Sequence, residues 1–329
     1  MFVSIKKMNN PAHMKTLEPM DNRLKIVKWL PATIGLTLLL MTIALAGEAA
    51  EPAKSVESLL ALKRPVVIGH RGYNQIAPEN TLPSFKLAKA AGADMVELDY
   101  YNTKDGKMVV IHDPVLDRTT DAVSRWGEKG VAVSHKTLDE LCTLDAGKWF
   151  DIKNAGSHLP AYAGTHLPTL AESLDLIQDG NLTLIHHKEG DAATCVKLLR
   201  ERNLVNQVIV QSFDWAYLKD YHQLEPTQIL GALGPLDWRA GKKLTESEKT
   251  LDKIWVDELV KNGVRLAVWN RQITRDAVDY AHRCGLKVWV YTINDPIVAN
   301  EMLNLGADGL ITDNTSMIWR ILAIRFAPH

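Results

Sequence analysis

From residue 65 onward, short apolar runs alternate with longer stretches of helical periodicity, and this alternation limits the possible folds more than any other feature. Most of the runs are separated by helix candidates, which cover residues 82–91, 169–178, 192–203, 215–223, 246–262, 275–284 and 297–305. Continuous apolar strands that alternate with helices indicate a parallel sheet covered by helices. The runs rich in Val, Ile and Leu are residues 66–70, 95–100, 108–113, 182–187, 208–213, 229–233, 264–269, 287–292 and 309–313.

An open doubly wound sheet and a closed barrel both satisfy this alternation. A dinucleotide-binding open sheet has GxGxxG after its first strand, whereas this chain has Gly69-His70-Arg71-Gly72 there, and no P-loop motif occurs. About eight βα units in about 265 residues suit a (β/α)₈ barrel, which typically takes roughly 250 residues. The sequence therefore predicts a TIM-type (β/α)₈ barrel over residues 65–320.

Two segments do not fit a plain barrel. Residues 102–107 (NTKDGK) form a tight turn between the second and third runs, and Asp-Gly favours a hairpin there. Because hairpin strands are antiparallel, one arm is expected to extend beyond the barrel wall. Residues 118–167 show no regular alternation, and they are predicted to form a small excursion after the third strand rather than a second domain.

The N-terminal region differs in composition from the rest of the chain. A basic stretch precedes residues 29–46, which carry no charge and end in the small-x-small pattern Ala44-Leu45-Ala46. This pattern predicts a signal peptide over residues 1–46 and export to the periplasm or the medium. An uncleaved membrane anchor formed by residues 29–46 remains the alternative, because the run is close to the lower limit of about 17 residues for a spanning helix. Residues 47–64 are predicted to form a linker and residues 321–329 a tail.

The overall charge argues against a nucleic-acid partner. The 329 residues have a formal net charge of −1 at pH 7, so no global field attracts a polyanion. With 46% apolar and 23% charged residues the composition is that of a globular protein. A membrane is expected as a partner only if the N-terminal segment is not cleaved.

Charged and imidazole side chains lie at the ends of the first four apolar runs. In a (β/α)₈ barrel the active site gathers at the carboxyl ends of the strands. Since residues i and i+2 of a strand share a face, Glu97 and Asp99 project together, His186 and Lys188 do the same, and His187 points the other way. Two carboxylates on one face form a hard oxygen site for a divalent cation. The complete set is His70, Arg71, Glu97, Asp99, His112, His186, His187 and Lys188.

This set predicts metal-assisted phosphodiester hydrolysis. Arg71 and Lys188, together with a divalent cation, neutralise a phosphate and the charge that grows on it during displacement. His70 and His112 can act as acid and base, because imidazole titrates near neutral pH. The alternative is a buried ion cluster without catalysis, but desolvating so many charged groups is costly for a purely structural role.

The same residues resemble those of a known family. The stretches HRGYNQIAPENT (70–81), VELD (96–99), TKDGKMVVIHDPVLDRTTD (103–121), VIVQSF (208–213) and GADGLITDN (306–314) resemble the glycerophosphodiester phosphodiesterases, over about residues 65–320. The resemblance implies a barrel that hydrolyses glycerophosphodiesters, such as glycerophosphocholine, to glycerol 3-phosphate and an alcohol during phospholipid breakdown. It implies that His70 and His112 are the acid–base pair, that Arg71 contacts phosphate, and that Glu97 and Asp99 bind magnesium or calcium.

Two further roles follow from the resemblance. Glu79 of the PENT stretch is read as a positioning residue, and Tyr291, which stands where the family commonly has tryptophan, as a packing surface for glycerol. The glycerol 2-hydroxyl is expected to attack phosphorus first and give a cyclic phosphate, because an internal nucleophile is already held in place.

The fourth strand departs from the family pattern. The family ordinarily has Glu-x-Lys at its end, with the glutamate as a metal ligand, whereas this chain has His186-His187-Lys188. His186 is a nitrogen ligand that favours manganese or zinc, or it leaves a gap filled by water with Glu189 compensating, or the site has degraded. A non-catalytic phosphodiester-binding barrel and a lipid-directed phospholipase D-type relative are therefore the alternative functions.

Overall fold

The computed structural model describes residues 55–326 of the chain. The predicted signal peptide (1–46), its alternative as a membrane anchor (29–46) and the last residues of the predicted tail lie outside the described residues. Within residues 55–326, no helix is both long and apolar enough to cross a membrane.

Most of the described chain alternates strands and helices, except in the β2–β3 hairpin, in the excursion after β3 and around the short strands β7 and β8. Its strands are β1 Val66–Gly69, β2 Met95–Asn102, β3 Met108–Val110, β4 Leu182–His187, β5 Val208–Ser212, β6 Leu230–Gly234, β7 Trp238–Arg239, β8 Lys242–Lys243, β9 Leu266–Trp269, β10 Lys287–Val290 and β11 Gly309–Thr312. Its α-helices are α1 Val56–Leu60, α2 Leu82–Ala90, α3 Ala122–Trp126, α4 Leu138–Leu141, α5 Lys148–Lys153, α6 Leu170–Gln178, α7 Ala192–Glu201, α8 Trp215–Leu224, α9 Lys253–Lys261, α10 Arg275–Arg283, α11 Pro296–Asn304 and α12 Thr315–Arg325.

Eight parallel strands close into a barrel. The hydrogen-bonded order is β1-β11-β10-β9-β6-β5-β4-β2, and β1 also pairs with β2, which closes the sheet. The predicted (β/α)₈ barrel is therefore confirmed. Strand β3 pairs antiparallel with the far end of β2, in the register Tyr100↔Val110, so the third of the nine apolar runs lies outside the parallel barrel as the Asp-Gly turn predicts.

The strands of the barrel are buried on both faces, which explains their continuous apolar sequence. In β4, Leu182 and Leu184 belong to the cluster inside the barrel, whereas Ile185 belongs to the cluster between strands and helices. In β2, Met95 faces the inside, and Val96 packs against the helices. This period-two alternation decides which polar residue at each strand end faces the barrel axis.

The described part of the predicted linker is packed against the barrel. Ser55 caps helix α1, and Val56, Leu59 and Leu60 of that helix join the interior apolar cluster at the amino ends of the strands. Residues 55–62 thus close the bottom of the barrel instead of trailing from it. At the other end, helix α12 continues past residue 320 to Arg325.

The excursion after β3 has an apolar cluster of its own. Leu116, Val133, Leu141 and Leu144 are buried there, and Tyr101 on β2 belongs to the same cluster. Helices α3, α4 and α5 lie within the excursion. The excursion is thereby fixed to the carboxyl end of β2, where the catalytic candidates lie.

Candidate active site

One cavity at the carboxyl ends of the strands contains the predicted site. It has a volume of about 180 Å³. Charged and imidazole side chains form one part of its wall, and apolar side chains form another. The lining residues are His70, Arg71, Glu97, Asp99, His112, His186, Lys188, Gln211, Phe213, Leu233, Tyr291, Thr292 and Ile311. Every residue that the sequence assigned to catalysis, phosphate binding, metal binding or glycerol packing is among them.

Glu97, Asp99 and His186 form a buried cluster that fits a metal ion. One ligand atom from each lies within 4.8 Å of the others. His186 Nδ1 is 2.8 Å from Asp99 Oδ1 and 3.9 Å from Glu97 Oε1. Asp99 Oδ1 is buried and accepts no hydrogen bond from the described residues. His186 Nδ1 and Lys188 Nζ face this oxygen without an aligned hydrogen bond, so a divalent cation held by the three ligands would find an acceptor that is not fully used.

Backbone and amide groups fix the two carboxylates. Glu97 Oε2 accepts a hydrogen bond of 2.8 Å from the backbone N–H of Arg71. Asp99 Oδ2 accepts one of 2.8 Å from Asn80 Nδ2, and Asn80 Oδ1 accepts one of 3.1 Å from the backbone N–H of Asp99. Asn80 has φ +56°, a left-handed conformation that asparagine tolerates better than most residues. Sequence reasoning did not single out Asn80, although it belongs to the PENT stretch.

The three ligand candidates have different protonation tendencies in the metal-free protein. Burial and the charge of Asp99 raise the pKa of Glu97 to about 7. Burial also opposes ionisation of Asp99, but Lys188, His186 and Arg71 outweigh it and hold the pKa of that carboxyl well below its usual range. Burial lowers the pKa of His186 to about 4, so its imidazole is neutral at pH 7 and has a lone pair to offer.

Two cations stand beside this cluster. Lys188 Nζ lies 3.2 Å from Asp99 Oδ1. Arg71 Nε lies 3.5 Å from Asp99 Oδ2, while Arg71 Nη1 donates to Glu79 Oε1 at 2.7 Å. Arg71 Nε is buried and has no hydrogen-bond acceptor among the described residues. An unused guanidinium donor next to an ammonium group suits an anion such as phosphate.

Each candidate acid–base histidine forms a hydrogen bond with a carboxylate of its own. His70 Nδ1 is 2.6 Å from Asp313 Oδ1, and His112 Nδ1 is 2.7 Å from Asp113 Oδ1. Asp313 in turn accepts hydrogen bonds from the amide groups of Asn74, at 2.6 Å, and Asn294, at 2.5 Å. Nδ1 is engaged in both imidazoles, which leaves Nε2 as the ring nitrogen available for proton transfer.

The surroundings of the two histidines shift their pKa values in opposite directions. Burial lowers the pKa of His70, but the hydrogen bond to Asp313 and the charge of Glu97 outweigh burial, so the pKa is raised. Burial lowers the pKa of His112, and it remains lowered although Asp99 and Asp113 oppose the shift. Pairs of groups whose pKa values are driven apart are typical of an acid and a base.

The other residues of the fourth strand end have separate roles. His187 faces away from the cavity: its Nε2 is 2.9 Å from Gly190 O, and its ring stacks on Tyr217 with centroids 3.4 Å apart. This orientation agrees with the alternation that predicts it. Glu189 is exposed and is absent from the described residues that line the cavity, so it gives no support to the idea of a compensating acid.

Tyr291 lies in the apolar part of the cavity wall. Its hydroxyl donates to Gly234 O at 2.7 Å, and its ring meets Phe213 edge to face with centroids 6.3 Å apart. The hydroxyl is therefore engaged, and the ring is left to pack against a ligand. Phe213, Leu233 and Ile311 were not assigned to the site from sequence, although Phe213 belongs to the VIVQSF stretch.

Comparison with known proteins identifies the family. The model of the glycerophosphoryl diester phosphodiesterase family matches residues 70–317. The chain belongs to this family. A glycerophosphodiester phosphodiesterase from Caldanaerobacter subterraneus subsp. tengcongensis is 33% identical over 258 residues, which cover 76% of this chain and 95% of the relative. One from Bacillus subtilis is 29% identical over 280 residues, 82% of this chain and 90% of the relative.

A solved structure gives the same result. A phosphodiesterase from Oleispira antarctica in complex with the product sn-glycerol-3-phosphate matches with a TM-score of 0.66 at 27% identity, over 78% of this chain and 96% of that one. The chain is therefore a phosphoric diester hydrolase of a family that hydrolyses glycerophosphodiesters, and the predicted family, fold and class of enzyme are confirmed.

Glu79, the predicted positioning residue of this family member, lies between two guanidinium groups. It accepts hydrogen bonds from Arg71 Nη1 at 2.7 Å and from Arg118 Nη1 and Nη2 at 2.7 and 2.8 Å. Burial opposes ionisation of Glu79, but Arg118 and Arg71 outweigh it and lower its pKa. Arg118 lies in the excursion, and sequence reasoning assigned it no role.

Proposed function

We propose that this cavity binds a small glycerophosphodiester, such as glycerophosphocholine, and releases glycerol 3-phosphate and the free alcohol with the help of one divalent cation. The observation that carries the proposal is the meeting of two carboxylate-backed histidines, two cations and a buried ligand cluster in a single cavity. A binding protein needs the cations but has no need of two histidines whose pKa values are driven apart.

Glu97, Asp99 and His186 are the proposed ligands of the cation. When bound, a divalent cation neutralises phosphate oxygens and stabilises the negative charge that develops on them. A neutral imidazole beside two carboxylates is a ligand set that suits manganese or zinc. Calcium and magnesium prefer a set made of oxygen ligands only. The proposal therefore favours manganese or zinc, and this preference rests on His186.

The proposed proton transfers follow from the surroundings of the two histidines. The pKa of His112 is lowered, so its neutral Nε2 accepts the proton of the attacking glycerol 2-hydroxyl, and this attack forms a cyclic phosphate. The hydrogen bond to Asp313, which lies outside the ligand cluster, outweighs burial and raises the pKa of His70, whose Nε2 donates a proton to the oxygen of the leaving alcohol. Water then opens the cyclic phosphate to glycerol 3-phosphate, with His70 as the base and His112 as the acid. Arg71 and Lys188 bind the phosphate between them. A positioned acid or base contributes on the order of 10²- to 10⁴-fold to such a rate.

The size and lining of the cavity support a compact substrate. Pockets for drug-sized ligands are roughly 300–1,000 Å³, whereas this cavity is about 180 Å³. Tyr291, Phe213 and Leu233 offer apolar surface to the glycerol carbons, opposite in character to the charged wall. A lipid-directed activity is the alternative, and lysophosphatidylcholine offered beside glycerophosphocholine distinguishes the two.

Export through the N-terminal segment is also proposed. Its support is the pattern of a basic stretch, an uncharged run and Ala44-Leu45-Ala46 in the sequence. Cleavage predicts a mature protein that begins near residue 47 in the periplasm or the medium. Intact-mass measurement of the protein recovered from each cell fraction tests this against an anchor that keeps residues 29–46.

The activity itself is tested by measuring glycerol 3-phosphate release from glycerophosphocholine. Chelated protein is supplied with calcium, magnesium, manganese or zinc, and His112→Gln is measured under the same conditions. The proposal expects turnover that needs an added ion, is highest with manganese or zinc and falls at least 10²-fold in the variant. A wild-type protein that binds the ion and the substrate but releases no product contradicts it.

A further inference from the structure

We propose that Arg118 is a positioning residue that decides which histidine accepts the proton, because it neutralises the carboxylate behind His112 while the carboxylate behind His70 has no such partner. The inference rests on the proposed function and adds a residue that stands outside the cavity wall. It also gives the excursion after β3 a part in the reaction.

The contacts of Arg118 are specific. Its Nε donates to Asp113 Oδ2 at 2.6 Å, and its Nη2 donates to Asp113 Oδ1 at 3.0 Å. Its Nη1 and Nη2 also donate to the two oxygens of Glu79, at 2.7 and 2.8 Å. One guanidinium therefore bridges two carboxylates, and a rigid planar fork of donors is needed to do so.

These contacts complete a chain of alternating charge. The chain runs from Arg71 through Glu79, Arg118 and Asp113 to His112, and each link is a contact of 2.6–3.0 Å. Arg118 thus joins the group proposed to bind phosphate to the group proposed to accept the proton. Neither Asp113 nor Arg118 contacts the cation ligands Glu97, Asp99 and His186 through any described hydrogen bond or ion pair.

The other histidine lacks this arrangement. Asp313 is held by the neutral amides of Asn74 and Asn294, and among residues 55–326 its ion pair is with His70. The two carboxylate-backed histidines therefore differ by one positive charge. Arg118 offsets the negative charge of Asp113, so Asp113 stabilises the protonated form of His112 only weakly. Asp313 has no guanidinium partner, so it stabilises the protonated form of His70 more strongly.

Arg118 acts beside other influences that also separate the two histidines. Burial is the largest influence that lowers the pKa of His112, Asp99 favours its protonated form and Arg71 and Lys188 disfavour it, whereas Glu97 favours protonated His70. Tyr101 is close enough to Asp113 for that carboxylate to influence its pKa, but a neutral phenol adds no charge. Removing Arg118 leaves all of these in place and exposes His112 to an unneutralised carboxylate.

Arg118 is held in position by the excursion. Leu116, two residues earlier, is fully buried in the cluster of the excursion, and Thr120 Oγ1 donates to Leu116 O at 2.6 Å. The Arg118 side chain is 44% exposed, so the folded barrel does not depend on it as a core residue. Substitution is therefore expected to change the proton chemistry without unfolding the protein.

The test compares Arg118→Met, Arg118→Lys and the control Arg125→Met. Arg125 lies in the same excursion and pairs with half-buried Asp121, and neither residue lines the cavity. The pH dependence of kcat/KM for glycerophosphocholine is measured with saturating metal ion. In Arg118→Met the acidic limb is expected to move up by about one pH unit, because an unneutralised carboxylate favours the protonated His112. The limb stays in place in Arg125→Met and moves only partly in Arg118→Lys.

A second variant shows whether the shift arises through Asp113. Adding Asp113→Asn to Arg118→Met removes the unneutralised charge, and the acidic limb is expected to return toward its wild-type position. A structural role alone predicts something different: equal loss of activity at every pH, with no movement of the limb. That result overturns the proposal.

A titration that needs no turnover separates this inference from the proposed function. The imidazole resonances of His112 are followed by NMR against pH in the chelated wild type and in Arg118→Met. The midpoint is expected to rise by about one pH unit in the variant. If the wild type has no activity but the midpoint still rises, the proposed function fails and the role of Arg118 stands. An unchanged midpoint refutes the role of Arg118.

Discussion

Replacing His186 by glutamate tests whether this position is part of a cation site. The change puts a third carboxylate where His186 Nδ1 now lies, 2.8 Å from Asp99 Oδ1 and 3.9 Å from Glu97 Oε1. Two like charges about 4 Å apart repel each other by about 4 kcal/mol at an effective dielectric constant of 20. In the chelated protein this repulsion falls on the folded state alone.

The size of the effect depends on pH because Glu97 can take up a proton. Its pKa of about 7 means that it is largely protonated at pH 6 in the folded protein. A raised pKa of this kind gives stability that is lost as the pH rises through it. In the variant the added carboxylate opposes ionisation of Glu97. Keeping Glu97 protonated at pH 9 costs about 1.4 kcal/mol for each pH unit above its pKa, or about 3 kcal/mol.

The loss in free energy of unfolding that chelated His186→Glu shows relative to wild type is therefore expected to be up to about 3 kcal/mol larger at pH 9 than at pH 6. For a domain of this size that is a further drop in Tm of about 5 °C. A divalent cation reverses the effect, since it is attracted by the added carboxylate. Calcium and magnesium are expected to raise the Tm of the variant more than that of the wild type.

The assay is thermal unfolding followed by circular dichroism, in EDTA and with each of the four ions, at pH 6 and pH 9. His186→Gln is the matched control, because it removes the imidazole without adding charge. The reasoning is refuted if the two variants unfold at the same temperature in EDTA at pH 9. It is also refuted if calcium and magnesium stabilise both variants equally.

Three further predictions follow from the supporting residues. Asp313→Asn removes the charge that keeps His70 protonated, so the alkaline limb of kcat/KM against pH should move to lower pH and kcat should fall by on the order of 10²- to 10⁴-fold; a shift in the other direction contradicts this. Asn80→Ala frees Asp99 from two hydrogen bonds and should weaken cation binding about 10- to 100-fold by calorimetry, whereas unchanged affinity means that the amide is dispensable. Arg118 holds the pKa of Asp113 down to about 2, so this pair gives stability above the unfolded-state pKa near 4 that is lost as the pH falls toward 2. Urea midpoints of Arg118→Met should therefore fall less steeply than those of the wild type across that range.

The features that follow from local periodicity were predictable from the sequence. Leu182 to His187 is a single buried strand, and its period of two determines that His186 faces the cavity and His187 faces Tyr217. The same rule brings Glu97 and Asp99 together. Because all parallel strands of a barrel end at one rim, residues far apart in sequence were predicted to share a site.

The supporting contacts were not predictable in the same way. Asp313 lies 243 residues from His70, and Arg118 reaches Glu79 across 39 residues from an irregular loop. Such pairings depend on how the loops cross the rim, and no periodicity encodes them. Helix α1 is a different case, because Ser55 followed by Val56, Leu59 and Leu60 is a capped amphipathic pattern that the assignment to a linker overlooked.

The central claim is that Glu97, Asp99 and His186 hold a catalytic cation beside the two histidines. The most direct test is the EPR spectrum of chelated protein titrated with manganese, recorded for wild type with and without ¹⁵N-labelled histidine. The account predicts one bound ion per chain, a nitrogen hyperfine coupling that changes with the label and disappears in His186→Gln, and glycerol 3-phosphate release that rises with occupancy. Manganese bound without nitrogen coupling, or release that is unchanged by chelation, would contradict it.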